Sequence, residues 1–240
     1  AGLSSVAVNL RGCSGEANRL ARSYHSGVSD DLDAVYRYLH KRFPSRRLCF
    51  VGFSLGGNVL LKWLGENRLR DSAVLRAVAV STPFQLGLCS RAMTRGLSRI
   101  YGNYFVNRLS EAFAAKRSAL IEANNHDELS RLESIGEFSG FSNIWEFDEQ
   151  VTAPLNGFRD AQHYYESCSS GPLLSGIDID TLLIQSSDDP LIPKAAIPMQ
   201  GDLSKWVELR LLPKGGHVGF VSSRQPNWLE RQITNCFLLD

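Results

Sequence analysis

Several features are missing from this chain, and each absence removes a class of function. No apolar run reaches the roughly 18 residues that a membrane-spanning helix requires, so no transmembrane segment is expected. Neither sign of charge is in excess: Lys plus Arg number 26 and Asp plus Glu 25, a net charge of +1. That balance gives no electrostatic footprint for nucleic acid, and no nucleic-acid partner is expected. There is no H-E-x-x-H, no P-loop and no dinucleotide fingerprint, so neither a metal nor an organic cofactor is expected. The five cysteines, Cys13, Cys49, Cys89, Cys168 and Cys236, are odd in number, widely spaced and without a C-x-x-C pair. They read as reduced thiols in a reducing, cytoplasmic setting rather than as a disulfide scaffold. What remains is a globular chain of 240 residues, 43% hydrophobic and 21% charged, long enough for one large domain or two small ones.

Apolar patterning alternates strand and helix. Val6-Ala7-Val8-Asn9-Leu10 lies in a stretch that reads as a strand from Ser5 to Leu10. Ser29-Asp30-Asp31 opens a helix with two acids in its first turn, and Leu32, Val35, Tyr36, Leu39 and Phe43 keep its period until Pro44 stops it. Leu48-Cys49-Phe50-Val51 is too short for a helix and reads as a strand buried on both faces. A helix-like run from Val59 to Leu64, then strands at 74–81, 181–185 and 207–212 and a closing amphipathic helix from Asn227 to Leu239, continue the alternation. Strands alternating with helices imply a parallel sheet with helices on both sides. Residues 84–170 break the rhythm: they are helical in character and read as a cap inserted into a core made of 1–83 and 171–240.

One local signal carries chemistry. Gly52-Phe53-Ser54-Leu55-Gly56 matches G-x-S-x-G, between an apolar strand-like run and an apolar helix-like run. This is the setting of a sharp strand-to-helix turn that exposes a serine oxygen at its tip, with the next backbone N–H, that of Leu55, aimed at developing negative charge. A serine hydroxyl needs a base and a group that orients the base. Both follow later in the chain. Ser187-Asp188-Asp189-Pro190 comes just past one strand, and Gly215-Gly216-His217-Val218-Gly219-Phe220 just past the next. On their own the two aspartates are also ordinary turn formers and His217 an ordinary loop residue. Their order, Ser then acid then His, each after a strand, favours the catalytic reading.

These stretches, with Asn9-Leu10-Arg11-Gly12-Cys13-Ser14-Gly15-Glu16 and Tyr24-His25-Ser26-Gly27, resemble the α/β-hydrolase superfamily, in its abhydrolase-domain esterase branch. The resemblance spans essentially the whole chain. It implies an α/β-hydrolase fold with a helical cap and Ser54 as nucleophile. His217 is then the base, and Asp189, chosen over Asp188 by a D-x-x-x-P spacing to Pro193, the acid. It implies hydrolysis of carboxylic esters through an acyl-enzyme, with a small ester or lipid as substrate. Acyl transfer by the same serine, or a non-catalytic binding protein on the same fold, are the alternatives. Family members carry an earlier strand and a His-Gly loop that completes the oxyanion hole. No such loop is present here, so the first strands are expected to be missing from this chain and only the Leu55 N–H is assigned.

Two lesser signals are weighed against this reading. His25 and Asp30 fit H-x-x-x-x-D, a pattern of some acyltransferases, but four free positions make it a common coincidence. His25 is expected to brace its loop. Met93, Leu97, Ile100, Tyr101, Tyr104 and Phe105 recur at helical spacing, for which core packing is the default and the wall of a lipid site the alternative.

Overall fold

The structure is a computed structural model that describes residues 2–66, 73–136, 140–222 and 225–238; Leu239, at the end of the expected closing helix, lies outside them. In chain order the regular elements are α1 (Ser29–Arg42), β1 (Leu48–Phe53), α2 (Leu55–Gly65), β2 (Val74–Val80), α3 (Leu86–Ala92), α4 (Ser98–Glu122), α5 (His126–Glu133), α6 (Ile144–Phe147), α7 (Ala153–Leu155), α8 (Ala161–Cys168), β3 (Thr181–Ser186), β4 (Val207–Leu212) and α9 (Trp228–Leu238). The chain divides into two compact units. One holds Ser26–Cys89 and the residues from Cys168 on; the other holds the residues up to His25 with Ser90–Ser167.

The first of these units is built on a parallel sheet of four strands in the order β1-β2-β3-β4. Successive strand residues point to opposite faces, and the core divides accordingly. Ala77, Ala79 and Leu183 face one side and pack with Leu61, Trp63 and Leu64 of α2 and Tyr36 of α1. Val78, Val80, Leu182 and Ile184 face the other and pack with Leu229, Ile233 and Phe237 of α9. Burial on both faces explains why β3 is an unbroken run, all six of its residues buried. The indole N–H of Trp63, inside this core, donates to Asp33 Oδ1 at 3.1 Å, so this buried donor is satisfied. Because all four strands run the same way, the residues after β1, β2, β3 and β4 emerge along one rim of the sheet.

The strand expected at Ser5–Leu10 does not form. These residues have no regular structure, and they group with the helical segment rather than with the sheet. A strand is stabilised by pairing its N–H and C=O groups. Here no ladder joins the segment to β1, and its side chains are open to solvent, Val6 at 63% and Val8 at 49%. The outer side of β1 has no strand neighbour among the described residues, and its Val51 and Phe53 are correspondingly exposed.

In the second unit no strand occurs among the described residues. Its cores are small: Ala21, Leu120 and Leu132 in one, Val106, Phe147 and Val151 in another. Lys116 Nζ ties the N-terminal segment to α4 by donating to the carbonyls of Leu20 and Arg22 at 3.2 and 3.1 Å. Asn125 and Asn143 cap α5 and α6 by accepting from Glu128 N–H and Glu146 N–H. The helical spacing at the start of α4 is real, but its apolar stripe does not pack into a core. Gly102 and Val106 form the buried side, while Leu97, Ile100, Tyr101 and Tyr104 lie on the opposite side, Leu97 80% exposed. Periodicity fixes which residues share a face and leaves open whether that face is covered.

Candidate active site

Ser54 sits between β1 and α2 with φ 50° and ψ −122°, a left-handed conformation that non-glycine residues seldom adopt. Its N–H donates to Val80 O at 2.8 Å, so the β1–β2 ladder runs into the turn and holds it. Two glycines make the turn sterically possible. A Cβ at Gly52 would lie 2.4 Å from Gly56 O, and one at Gly57 would lie 2.2 Å from Thr82 Oγ1. Gly56, the last glycine of the motif, faces open space. The turn therefore depends on Gly52 and Gly57, and only the first of these belongs to G-x-S-x-G. Leu55 is the first residue of α2, and its N–H has no acceptor within the helix.

Asp189 follows β3, and its carboxylate is enclosed. Its Oδ1 accepts from Leu191 N–H at 2.9 Å and Ile192 N–H at 3.3 Å; its Oδ2 accepts from the Gln185 amide at 3.3 Å. His217 follows β4. Its Nδ1 lies 2.9 Å from Asp189 Oδ2, and its Nε2 lies 2.9 Å from Ser54 Oγ. A carboxylate accepts only, so the proton belongs on Nδ1, and Nε2 then presents a lone pair to the serine hydroxyl. The three side chains, with Ser54 well over a hundred residues from the other two in sequence, thus form one chain of hydrogen bonds. Cys89 stands close enough for the Asp189 charge to act on it, but burial first, and that charge second, push its thiol up to about 12, so it stays neutral beside the site.

Asp188 is directed elsewhere. Its Oδ1 accepts from the N–H groups of both Gly215 and Gly216 at 2.9 Å, in the loop that carries His217. The Gly216 N–H foremost holds its carboxyl below the usual carboxylate range. Asp189, expected as the acid in preference to Asp188 from its spacing to Pro193, makes the imidazole contact, and Asp188 makes the loop contact. His25 packs its ring edge-on against Phe158 and Tyr164, at 5.4 and 5.8 Å between centroids.

Sequence reasoning missed three polar residues of this region. Gln185 is fully buried in β3 and reaches Asp189; its signal is a polar side chain ending an apolar strand. Asn58, also fully buried, donates to Ser26 O and Cys168 O at 2.8 Å and accepts from Ser170 N–H at 2.9 Å, tying the segment before α1 and the end of α8 with the residues after it to α2. Ser81, fully buried at φ 51°, accepts from Val218 N–H at 3.1 Å and has no sequence signal. None of the five cysteines forms a disulfide, and no cluster of three or more potential metal ligands occurs among the described residues. No helix among them is long and apolar enough to cross a membrane.

A serine on a strained strand-to-helix turn, followed in chain order by an acid and a histidine past later parallel strands, is the arrangement that defines hydrolases built on an open α/β sheet. The chain belongs to the α/β-hydrolase fold family, whose model matches residues 1–223. It is 39% identical to the Escherichia coli K12 protein YheT, named as an esterase, over 231 residues that make up 95% of this chain and 66% of that protein. It is 28% identical to mouse phospholipase ABHD3 over 235 residues, 96% of this chain and 55% of that one. The chain thus spans between about half and two thirds of the length of these relatives. Among solved structures, serine hydrolase CCSP0084 from Cycloclasticus zankles matches with a TM-score of 0.56 over 97% of this chain and 79% of that chain, at 16% identity, a likeness of fold.

Proposed function

We propose that the protein is a serine hydrolase of carboxylic esters, with Ser54 as nucleophile, His217 as general base and Asp189 as the acid that orients it. The observation that carries this reading is the 2.9 Å separation of His217 Nε2 and Ser54 Oγ, with the opposite ring nitrogen 2.9 Å from a carboxylate. Ser54 Oγ attacks the ester carbonyl as Nε2 takes its proton. The Asp189 carboxylate keeps the second proton on Nδ1 and stabilises the imidazolium that forms. The Leu55 N–H, at the positive end of α2, donates to the developing oxyanion. His217 returns its proton to the leaving alcohol, an acyl-enzyme remains, and water activated by the same imidazole releases the acid.

Lipid esters are the substrate class this reading favours. Its support is the company the chain keeps: besides YheT and ABHD3, relatives include a zebrafish and a yeast protein named as monoacylglycerol lipases, 27% and 29% identical. The test replaces Ser54 by Ala in the full chain and assays p-nitrophenyl esters of increasing acyl length together with labelling by a fluorophosphonate. Loss of both hydrolysis and labelling is the expected result; labelling that persists in Ser54→Ala rejects the nucleophile.

A further inference from the structure

We propose that Asp188, Ser186 and Ser81 are positioning residues that clamp the backbone on both sides of His217 and so aim its imidazole at Ser54. The proposal rests on the reading of Ser54, His217 and Asp189 given above. Ser186 and Ser81 each hold a peptide group next to His217, and Asp188 holds the N–H groups just before the first of them.

A peptide unit is planar, so fixing either its C=O or its N–H fixes the whole unit. The unit between Gly216 and His217 is held through the Gly216 carbonyl, which accepts from Ser186 Oγ at 2.8 Å. The unit between His217 and Val218 is held through the Val218 N–H, which donates to Ser81 Oγ at 3.1 Å. With both units fixed, the Cα–Cβ direction of His217 is fixed as well, and only the side-chain torsions remain. Asp188 secures the approach to the first unit by accepting from the Gly215 and Gly216 N–H groups with one oxygen, at 2.9 Å each. These holders come from rigid places: Ser81 from the end of β2, Ser186 from the end of β3, and Asp188 from the turn after it.

The loop requires such holding because its backbone is unfavourable. Val218 has φ 66°, a conformation that a β-branched residue rarely adopts, and Phe220 has φ 43°. Ser81, which binds the Val218 N–H, is itself at φ 51°. Residues persist in such conformations only where their surroundings over-determine them. Gly215 adds a close approach: a Cβ there would lie 2.6 Å from the Phe220 ring. The 215–220 loop is further closed by Phe220 N–H donating to Gly215 O at 2.9 Å.

The test compares Asp188→Ala, Asp188→Asn and Ser81→Gly with the parent and with Ser54→Ala, all in the full chain. Readouts are kcat and KM for p-nitrophenyl butyrate, the rate of fluorophosphonate labelling, and the thermal midpoint. Asp188→Ala removes the acceptor; Asp188→Asn keeps a carbonyl oxygen for both N–H groups. Ser81→Gly relaxes its own left-handed backbone while removing the partner of the Val218 N–H. The expected result is a fall in kcat and in labelling rate of roughly 10- to 100-fold in Asp188→Ala and Ser81→Gly, with KM within about twofold of the parent. Asp188→Asn returns kcat to within about threefold. Parental kcat in a folded Asp188→Ala, or a kcat loss that Asp188→Asn does not repair, overturns the role of Asp188. If Asp188→Ala has no thermal transition, Ser81→Gly decides the question alone, and parental kcat there overturns the clamp. If Ser54→Ala hydrolyses at the parental rate, it is the underlying reading of the site that fails.

Discussion

Replacing Gly52 by Ala isolates the geometry on which the site depends. The new Cβ would stand 2.4 Å from Gly56 O and 2.7 Å from Gly57 N, both backbone atoms that cannot swing away. Reaching even 3.0 Å requires the strand end and the helix start to part by about 0.6 Å. The Ser54–His217 bond has less tolerance than that. At 2.9 Å it can lengthen by about 0.3 Å before it leaves the roughly 3.2 Å limit for direct proton transfer. Displacement therefore exceeds tolerance by about twofold, and the expected loss in kcat is of order 100-fold. The overpacking should also cost about 1–3 kcal/mol, a fall of roughly 2–12 °C in thermal midpoint for a chain of this size. Gly56→Ala is the internal control. It belongs to the same motif, but its Cβ would meet nothing within 4 Å and its position is helical, so stability should stay level or rise by up to about 1 kcal/mol. The assay is kcat on a short p-nitrophenyl ester with a melting curve for each variant. A Gly52→Ala protein with parental kcat and parental midpoint would refute the steric account of the turn.

Two further outcomes are expected. Asp189→Asn leaves an amide that can donate to Nδ1, which favours the tautomer whose Nε2 is already protonated; kcat should fall by roughly 10³–10⁴-fold, far more than in Asp188→Asn, and an equal effect of the two would reject the acid assignment. Asp148, buried under Thr152 and Tyr165, has its carboxyl pushed up to about 6 by burial, with Tyr165 and Tyr24 the titratable groups beside it. Its folded pKa lies above its unfolded value of 3.8, so between about pH 4 and pH 6 the folded state holds a proton that the unfolded state has lost. Stability should then fall as pH rises through that window, by up to about 3 kcal/mol, and stay level above it. Denaturant titrations from pH 4 to 7 should show this slope in the parent and a flatter profile in Asp148→Asn; equal slopes would exclude Asp148 as the cause.

How much of this was legible in the sequence depended on how local each signal was. The strands at 48–53, 74–80, 181–186 and 207–212 were readable because each is a short run rich in apolar residues, although the burial on both faces expected for Leu48–Val51 holds throughout only in β3, and β1 and β4 keep exposed residues. Ser54, Asp189 and His217 were readable because each lies just past such a run, at a turn rich in glycine or acid. Ser5–Leu10 has the same apolar run and no ladder, because pairing depends on what lies alongside and composition does not record that. The stripe on α4 kept its period and still faced outward, for the same reason. Ser81 and Ser186 were invisible: a serine at a strand end is unremarkable until the loop after β4 is seen against it.

Backbone strain singles out the same loops without reference to any motif. Among the described residues six non-glycines have positive φ. Two are Asn124 and Asn227, a residue type that tolerates the conformation and here flanks helix ends. The other four, Ser54, Ser81, Val218 and Phe220, all belong to the loops that follow β1, β2 and β4 at one rim of the sheet. They are also linked: Ser54 N–H binds the carbonyl of Val80, Ser81 N–H binds Ile184 O, and Val218 N–H binds the Ser81 hydroxyl. Each such residue costs about 1–3 kcal/mol, which no loop needs merely to connect a strand to a helix. Strain gathered at one rim and cross-braced by hydrogen bonds is what remains when a fold holds side chains where chemistry, rather than chain connection, requires them. Variants that relieve it, such as Val218→Gly, should therefore gain stability while losing turnover, and a variant that gains both would break the link between strain and function.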